Sequence, residues 1–179
     1  VIAMKKIHAH YQQVAKQLRV GEGSVPDIIP DPGNARHIIV LVESYNKAII
    51  KTINYAKCLS NDIVCFHVSA NEEITAKLQQ KWQEHQVDLP LVVRKSPYRD
   101  VIRLLVEYVE SDEHASKEGD IVTVVMSQFV VSKWWERMLH NQTAAIIRAT
   151  LLKHRNIAVI SVPYIIEEDM GIYDRLQQN

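Results

Sequence analysis

The sequence contains no run of about 18 apolar residues, the length a bilayer-spanning helix needs. Its strongest apolar run, Ile121 to Met126, has the length of a buried strand. A signal-peptide pattern is missing too, because Val1-Ile2-Ala3-Met4 is followed at once by Lys5 and Lys6. The first residue is not Met, which suits a segment cut from a longer protein. Net charge is also absent: 21 Lys and Arg balance 21 Asp and Glu over 179 residues. No global field therefore favours nucleic acid, and no nucleic-acid partner is expected. Cysteine is down to Cys58 and Cys65, which form no metal-ligand spacing and are read as reduced, buried thiols of a cytosolic protein.

Catalytic signatures are equally thin. There is no Gly-rich phosphate loop, nucleophile elbow or metalloprotease helix motif. Glu43 stands where a general base could, but no partnered nucleophile or acid is evident, so the chain is not expected to be an enzyme. The eight histidines are scattered. His67 falls in a strand and is read as a satisfied core residue. His8 and His10 share a helix face only weakly, and no metal site is expected.

What is present is a regular alternation of elements. Residues 1–20 read as an amphipathic helix whose Ile7, Tyr11, Val14 and Leu18 repeat at i, i+4, i+7 and i+11. Lys5, Lys6, Gln12, Lys16 and Arg19 occupy its other side. Gly21, Gly23, Pro26, Pro30, Pro32 and Gly33 make 21–36 a linker that can hold neither helix nor central strand. The body is expected over 37–166, with a tail at 167–179. Strands are predicted at 37–42, 63–68, 91–94, 121–126 and 157–162, the first being continuously apolar as a strand covered on both faces would be. Helices are predicted between them, at about 46–59, 71–86, 99–109 and 143–153. Asn71 is expected to cap the second of these, with Glu72 and Glu73 favoured by the helix dipole. Ile146, Ile147, Thr150 and Leu151 are expected to face inward from the last.

Five buried strands alternating with helices give an α/β fold, a five-stranded parallel sheet with helices on both faces, of the flavodoxin-like or universal-stress type. Periodicity alone leaves the strand order open. In such sheets ligands bind beyond the carboxyl ends of the strands, where the winding direction reverses. Two segments are expected to meet there: the loop Glu43, Ser44, Tyr45 and Asn46, and the long insert from Ser127 to Thr143. The end of that insert, His140, Asn141, Gln142 and Thr143, enters the last helix, whose free N–H groups and dipole suit a phosphate. Trp134 and Trp135 offer surfaces for a base to stack on, and Arg99 opens another helix near the same edge. Each has a plainer reading as well. Asn141 and Thr143 fit helix caps, one tryptophan packs under the insert while the other meets a partner subunit, and Ser96 to Arg99 forms a rigid helix entry.

Several motifs are more specific than the fold pattern. Trp134-Trp135, Leu139-His140-Asn141-Gln142-Thr143-Ala144 and Ile160-Ser161-Val162-Pro163-Tyr164 resemble the tail of amino acid/polyamine/organocation permeases. So do His10-Tyr11, Trp82 after its acidic helix start, and the stretch from Leu89 to Arg99. The resemblance covers essentially the whole chain, in order, and points to the KimA group of potassium importers, whose other members are often labelled amino acid permeases. It implies a universal-stress-like domain of strand order 3-2-1-4-5 at the cytoplasmic face of the bacterial membrane. It also implies a preceding transmembrane domain of roughly twelve helices, a homodimer formed through the cytoplasmic part, and, in the potassium-importing branch, inhibition by cyclic di-AMP. The candidate nucleotide-binding residues are then Ser44, Tyr45, Asn46, Arg99, Trp135, His140, Asn141, Gln142 and Thr143. The lysines of the first helix suit a juxtamembrane position at the inner membrane surface.

The sequence also departs from the soluble universal stress proteins that bind ATP. Their Gly-x-x-Gly after the fourth strand is replaced here by Gln128, Phe129, Val130 and the tryptophans, so ATP binding in that manner is not expected. Glu43 would repel a phosphate unless it meets a ribose hydroxyl, a cation or Lys47.

Overall fold

The computed structural model describes residues 2–19, 37–96, 100–111, 121–130, 142–154 and 157–166, with the side chains of residues 2, 3, 142 and 143 excepted. The predicted linker 21–36 and tail 167–179 lie outside the described residues. The chain divides into two units, Val1–Pro32 and Gly33–Asn179. The first holds helix α1, Ile2–Leu18. The second alternates β1 Ile38–Leu41, α2 Lys47–Leu59, β2 Ile63–Ser69, α3 Glu72–Glu84, β3 Leu91–Lys95, α4 Val101–Val109, β4 Val122–Val130, α5 Gln142–Leu151 and β5 Ile157–Ile165.

The strands form one parallel sheet in the order β3-β2-β1-β4-β5, and the register pairs Ile38 with Ile63 on one side and with Thr123 on the other. The order follows from two right-handed windings that start back to back on β1. Successive side chains of a strand point to opposite faces, and the core splits accordingly. Ile38, Val40, Cys65 and Val125 join Ile49, Ile53 and Ala56 of α2 and Leu78 and Trp82 of α3 on one face. Ile39, Phe66, Val122, Val124 and Met126 join Leu105 and Tyr108 of α4 and Ile147 and Leu151 of α5 on the other. A fully buried side chain of this size contributes about 1.5–3 kcal/mol relative to exposure, so both layers are needed to hold the sheet.

Helix ends are set by specific side chains. Asn46 and Asn71 cap α2 and α3 by accepting N–H groups of the first turn, as short polar caps do. Buried Thr52 returns its hydroxyl to the Ala48 carbonyl at 2.8 Å, so that this donor is not orphaned. At the end of α3 the Val87 N–H reaches the Trp82 carbonyl at 3.1 Å and the Gln86 N–H reaches that of Gln83 at 3.0 Å. This is a Schellman closure, with Gln86 in the left-handed region at φ 48.

Three expectations need correction. The stretch Ser127–Val130, expected as the start of an irregular insert, continues β4, and β5 lengthens with it: Ser127 pairs with Val162 and Val130 with Ile165. Pairing lets both strands run past β1, whose register ends at Leu41 opposite Met126. Ile146, expected inside, is 57% exposed, because the helical step from buried Ile147 carries its neighbour to the far side. Cys58, expected in the core, lies on the outer face of α2 and is exposed, whereas Cys65 is buried.

Candidate switch-point site

The winding reverses between β1 and β4, and a cavity of about 290 Å³ opens at the carboxyl ends of β1 and β2 beside that point. Leu41, Phe66 and Val68 reach it from one face of the sheet and Val42 and His67 from the other, so it straddles the sheet end. Val101 of α4 and Ile147 of α5 wall one side, Asn71 and Ile74 the other, and Glu43 and Ser44 form the rim.

Its most constrained polar group is His67, which is 4% exposed. Nδ1 lies 2.8 Å from the Val42 carbonyl oxygen, which can only accept, so Nδ1 carries the hydrogen. Nε2 lies 3.0 Å from Thr75 Oγ1, and Thr75 Oγ1 lies 2.7 Å from Ser69 Oγ. The Thr75 hydroxyl stands within hydrogen-bonding distance of His67 Nε2, Ser69 Oγ and, at 3.1 Å, the Asn71 carbonyl oxygen, while His67 Nδ1–H donates to the β1 terminus. His67 is thus the satisfied core residue expected of it, and it fixes the strand end from which Glu43 and Ser44 project.

Of the predicted site residues, Ser44 lines this cavity. Asn46 does not; its Oδ1 accepts from the Ile49 N–H at 2.9 Å and its Nδ2 donates to Ser44 Oγ at 3.0 Å, so the side chain is committed to capping α2 and aiming the loop. Tyr45 turns toward α3, stacked on His85 at 4.7 Å and edge-on to Trp82 at 6.2 Å. There it borders a separate hollow of about 280 Å³ with Lys77 and Lys81. Gln142 and Thr143 open the first turn of α5. Arg99, Trp134, Trp135, His140 and Asn141 lie outside the described residues. Sequence reasoning missed His67, Asn71 and Ile147 as cavity walls. Asn71 carried a legible signal, since the residue after a parallel strand that caps the next helix sits at the sheet's carboxyl edge.

Electrostatically the described lining favours a neutral group over an anion. No Lys or Arg is among the described lining residues, and Glu43 stands exposed at the rim. Beside Val101, the Asp100 carboxylate caps α4 by accepting the Arg103 N–H at 3.2 Å, which offsets that helix's positive end. Lys95 and Glu72 pair at 2.7 Å near the ends of β3 and α3; their mutual hydrogen bond lowers the Glu72 carboxyl pKa and raises that of the Lys95 ammonium. Among the described residues no group of His, Cys, Asp and Glu is arranged to hold a metal ion.

Residues 34–164 match the family described as the KimA potassium transporter C-terminal domain. The potassium transporter KimA of Bacillus subtilis (strain 168) is 33% identical over 165 residues, covering 92% of this chain. The chain spans about a quarter of that relative, 26% of its length. Among the described residues no helix is long and apolar enough to cross a membrane. With the family match running across the sheet from before β1 to Tyr164 in β5, the chain belongs to the KimA potassium transporter C-terminal domain family.

Proposed function

We propose that this chain is the cytoplasmic regulatory and dimerisation domain of a bacterial potassium transporter, and that its switch-point cavity takes the adenosine half of a nucleotide, cyclic di-AMP before others. What supports this reading is the cavity itself: it opens at the carboxyl ends of β1 and β2, the edge at which parallel sheets bind ligands, and it is walled mainly by apolar side chains with the Glu43 carboxylate, the Ser44 hydroxyl and the Asn71 amide beside them. A volume of about 290 Å³ suits one nucleoside and not a whole cyclic dinucleotide. The second half would then be held by a second copy, and a ligand bridging two chains favours one mutual orientation. Useful switching needs a difference of about 1–3 kcal/mol between the two arrangements. In this reading the Glu43 carboxylate at the rim accepts from a ribose hydroxyl and the phosphates point away from it. The role is regulatory, and catalysis has no part in it.

Calorimetric titration of the chain with cyclic di-AMP tests the reading. Saturable heat is expected, and Glu43→Ala should weaken binding by removing the carboxylate that accepts from the ribose hydroxyl. Folded protein giving no heat at millimolar ligand overturns it.

A second reading has its own observation. β5 is an edge strand that runs past β1, and Ile165 and Ile166 at its end are 37% and 38% exposed. Among the described residues no strand pairs with the outer side of β5, and an edge with apolar side chains is a pairing surface for another strand, which fits a purely structural dimerisation module. That reading expects a dimer in sedimentation whose dissociation constant ignores every nucleotide. Assignment of potassium, and not an amino acid, as the cargo of the whole protein rests on the family. Growth at limiting potassium, rescued by the full gene product, is its measurement.

A further inference from the structure

Helix α1 carries an apolar stripe and charge of one sign. Met4, Ile7, Tyr11 and Leu18 are 78%, 56%, 69% and 77% exposed, and with Val14 between them they recur every three or four residues, one face of a helix. No Asp or Glu occurs from Ile2 to Leu18, while Lys5, Lys6 and Lys16 stand on the helix and Arg19 follows it. At about 1.5 Å per residue the helix is roughly 26 Å long, but its polar half forbids spanning.

We propose that α1 lies in the headgroup layer of an anionic lipid bilayer, its stripe toward the acyl chains and its lysines among the lipid phosphates. The reason is charge complementarity. An amphipathic helix with cations on its polar side gains from apolar burial and from attraction to anionic headgroups at once. A second α1 is the competing occupant, because residues 4, 7, 11, 14 and 18 also trace the seam of a coiled coil. Two features argue against it. Every formal charge on the helix is positive, so pairing two copies gathers like charge with no acid to offset it. The positions flanking the seam, His8, His10, Ala15 and Gln17, offer no complementary ion pairs of the kind that fix such dimers. This surface is independent of the switch-point cavity.

The test is vesicle co-sedimentation of the full 179-residue chain. Binding is expected to phosphatidylcholine vesicles holding about one-third phosphatidylglycerol, and not to phosphatidylcholine alone. It should weaken steeply as salt rises from about 0.05 to about 0.5 M. The pair Lys5→Glu and Lys6→Glu should cost at least about 25-fold, near fivefold per cation lost. Ile7→Ser with Leu18→Ser should abolish binding, and unchanged circular dichroism of the sheet unit shows the chain still folded. The proposal is overturned by no binding, by equal binding to neutral vesicles, or by binding that neither pair of substitutions weakens. It is overturned as well if the serine pair dissociates a dimer while the wild-type chain ignores vesicles, since a second copy is then the occupant.

Discussion

The imidazole of His67 donates from Nδ1 to the carbonyl oxygen of Val42 across 2.8 Å, tying the carboxyl-terminal half of β2 to the residue that follows β1. In a parallel pair the ladder runs out at the strand ends, and the Val42 N–H makes one of its last bonds, to the Phe66 carbonyl at 2.9 Å. The ring supplies one more tether where the rim of the cavity begins. Replacing it with leucine keeps the bulk but takes the Nδ1–H donor from the Val42 carbonyl, while the Thr75 hydroxyl keeps Ser69 Oγ and the Asn71 carbonyl. His67→Leu is expected to lower stability by about 2–3 kcal/mol, read as a lower urea midpoint with unchanged slope. Hydrogen exchange should rise first at Glu43 and Ser44. Intact protection of that loop in the folded variant would mean the tether is dispensable.

The Asn46 side chain is both the cap of α2 and the partner of Ser44 Oγ, and two substitutions separate these roles. Asn46→Ala removes the cap and should cost about 1 kcal/mol, while Asn46→Asp keeps an accepting oxygen and should stay within about 0.5 kcal/mol of wild type. If both lose the same stability in thermal unfolding, the amide's donation to Ser44, and not the cap, is what matters.

These two residues also show how far the sequence could be read. The five strands were legible because runs such as Ile38 to Leu41 are continuously apolar, as only strands covered on both faces are. Asn71 was legible as a cap because an acidic first turn follows it. The loop Ser44 to Asn46 was legible as a place, at the end of the first strand, yet direction within it was not. A loop has no period, and only tertiary contacts decide that Tyr45 turns to His85 and Trp82 while Ser44 lines the cavity. The extension of β4 through Val130 was hidden for a related reason. Ser127 and Gln128 look like a loop in isolation, and they are strand because Val162 and Pro163 pair with them. Pro163, which cannot donate to a ladder, is tolerated because β5 lies at the sheet edge.

The two cysteines should differ sharply in chemistry. Cys58 is exposed on α2, whereas burial pushes the Cys65 thiol up from 9.0 to about 12, with Lys57 pulling weakly the other way. A thiol reagent at mild alkaline pH is expected to label one cysteine quickly and the other only on unfolding. Below pH 9.0 both folded and unfolded forms of Cys65 keep their proton, and its burial contributes fully. Above that the unfolded thiol ionises first, the folded state binds more protons, and stability falls as pH rises toward about 12. The loss approaches about 1.4 kcal/mol per pH unit from this group. Cys65→Ala should flatten the alkaline limb by that amount, and an identical limb in the variant would refute the assignment.

Gln86 occupies the left-handed position of the Schellman closure that ends α3, at φ 48. Its N–H and that of Val87 satisfy the carbonyls of Gln83 and Trp82, and Val87 packs against the same core cluster as Trp82. The motif is therefore complete in its hydrogen bonds and its apolar contact, and only the residue type at the turn is unfavourable. A side chain with a Cβ pays about 1–2 kcal/mol there, whereas glycine adopts the conformation freely but is also freer in the unfolded chain. The difference leaves Gln86→Gly more stable by about 0.5–1 kcal/mol, a rise of a few degrees in the thermal midpoint for a domain of this size. Gln86→Ala, which keeps the Cβ, should gain nothing. Equal gains from glycine and alanine would show that loss of the glutamine side chain, and not relief at φ 48, is responsible.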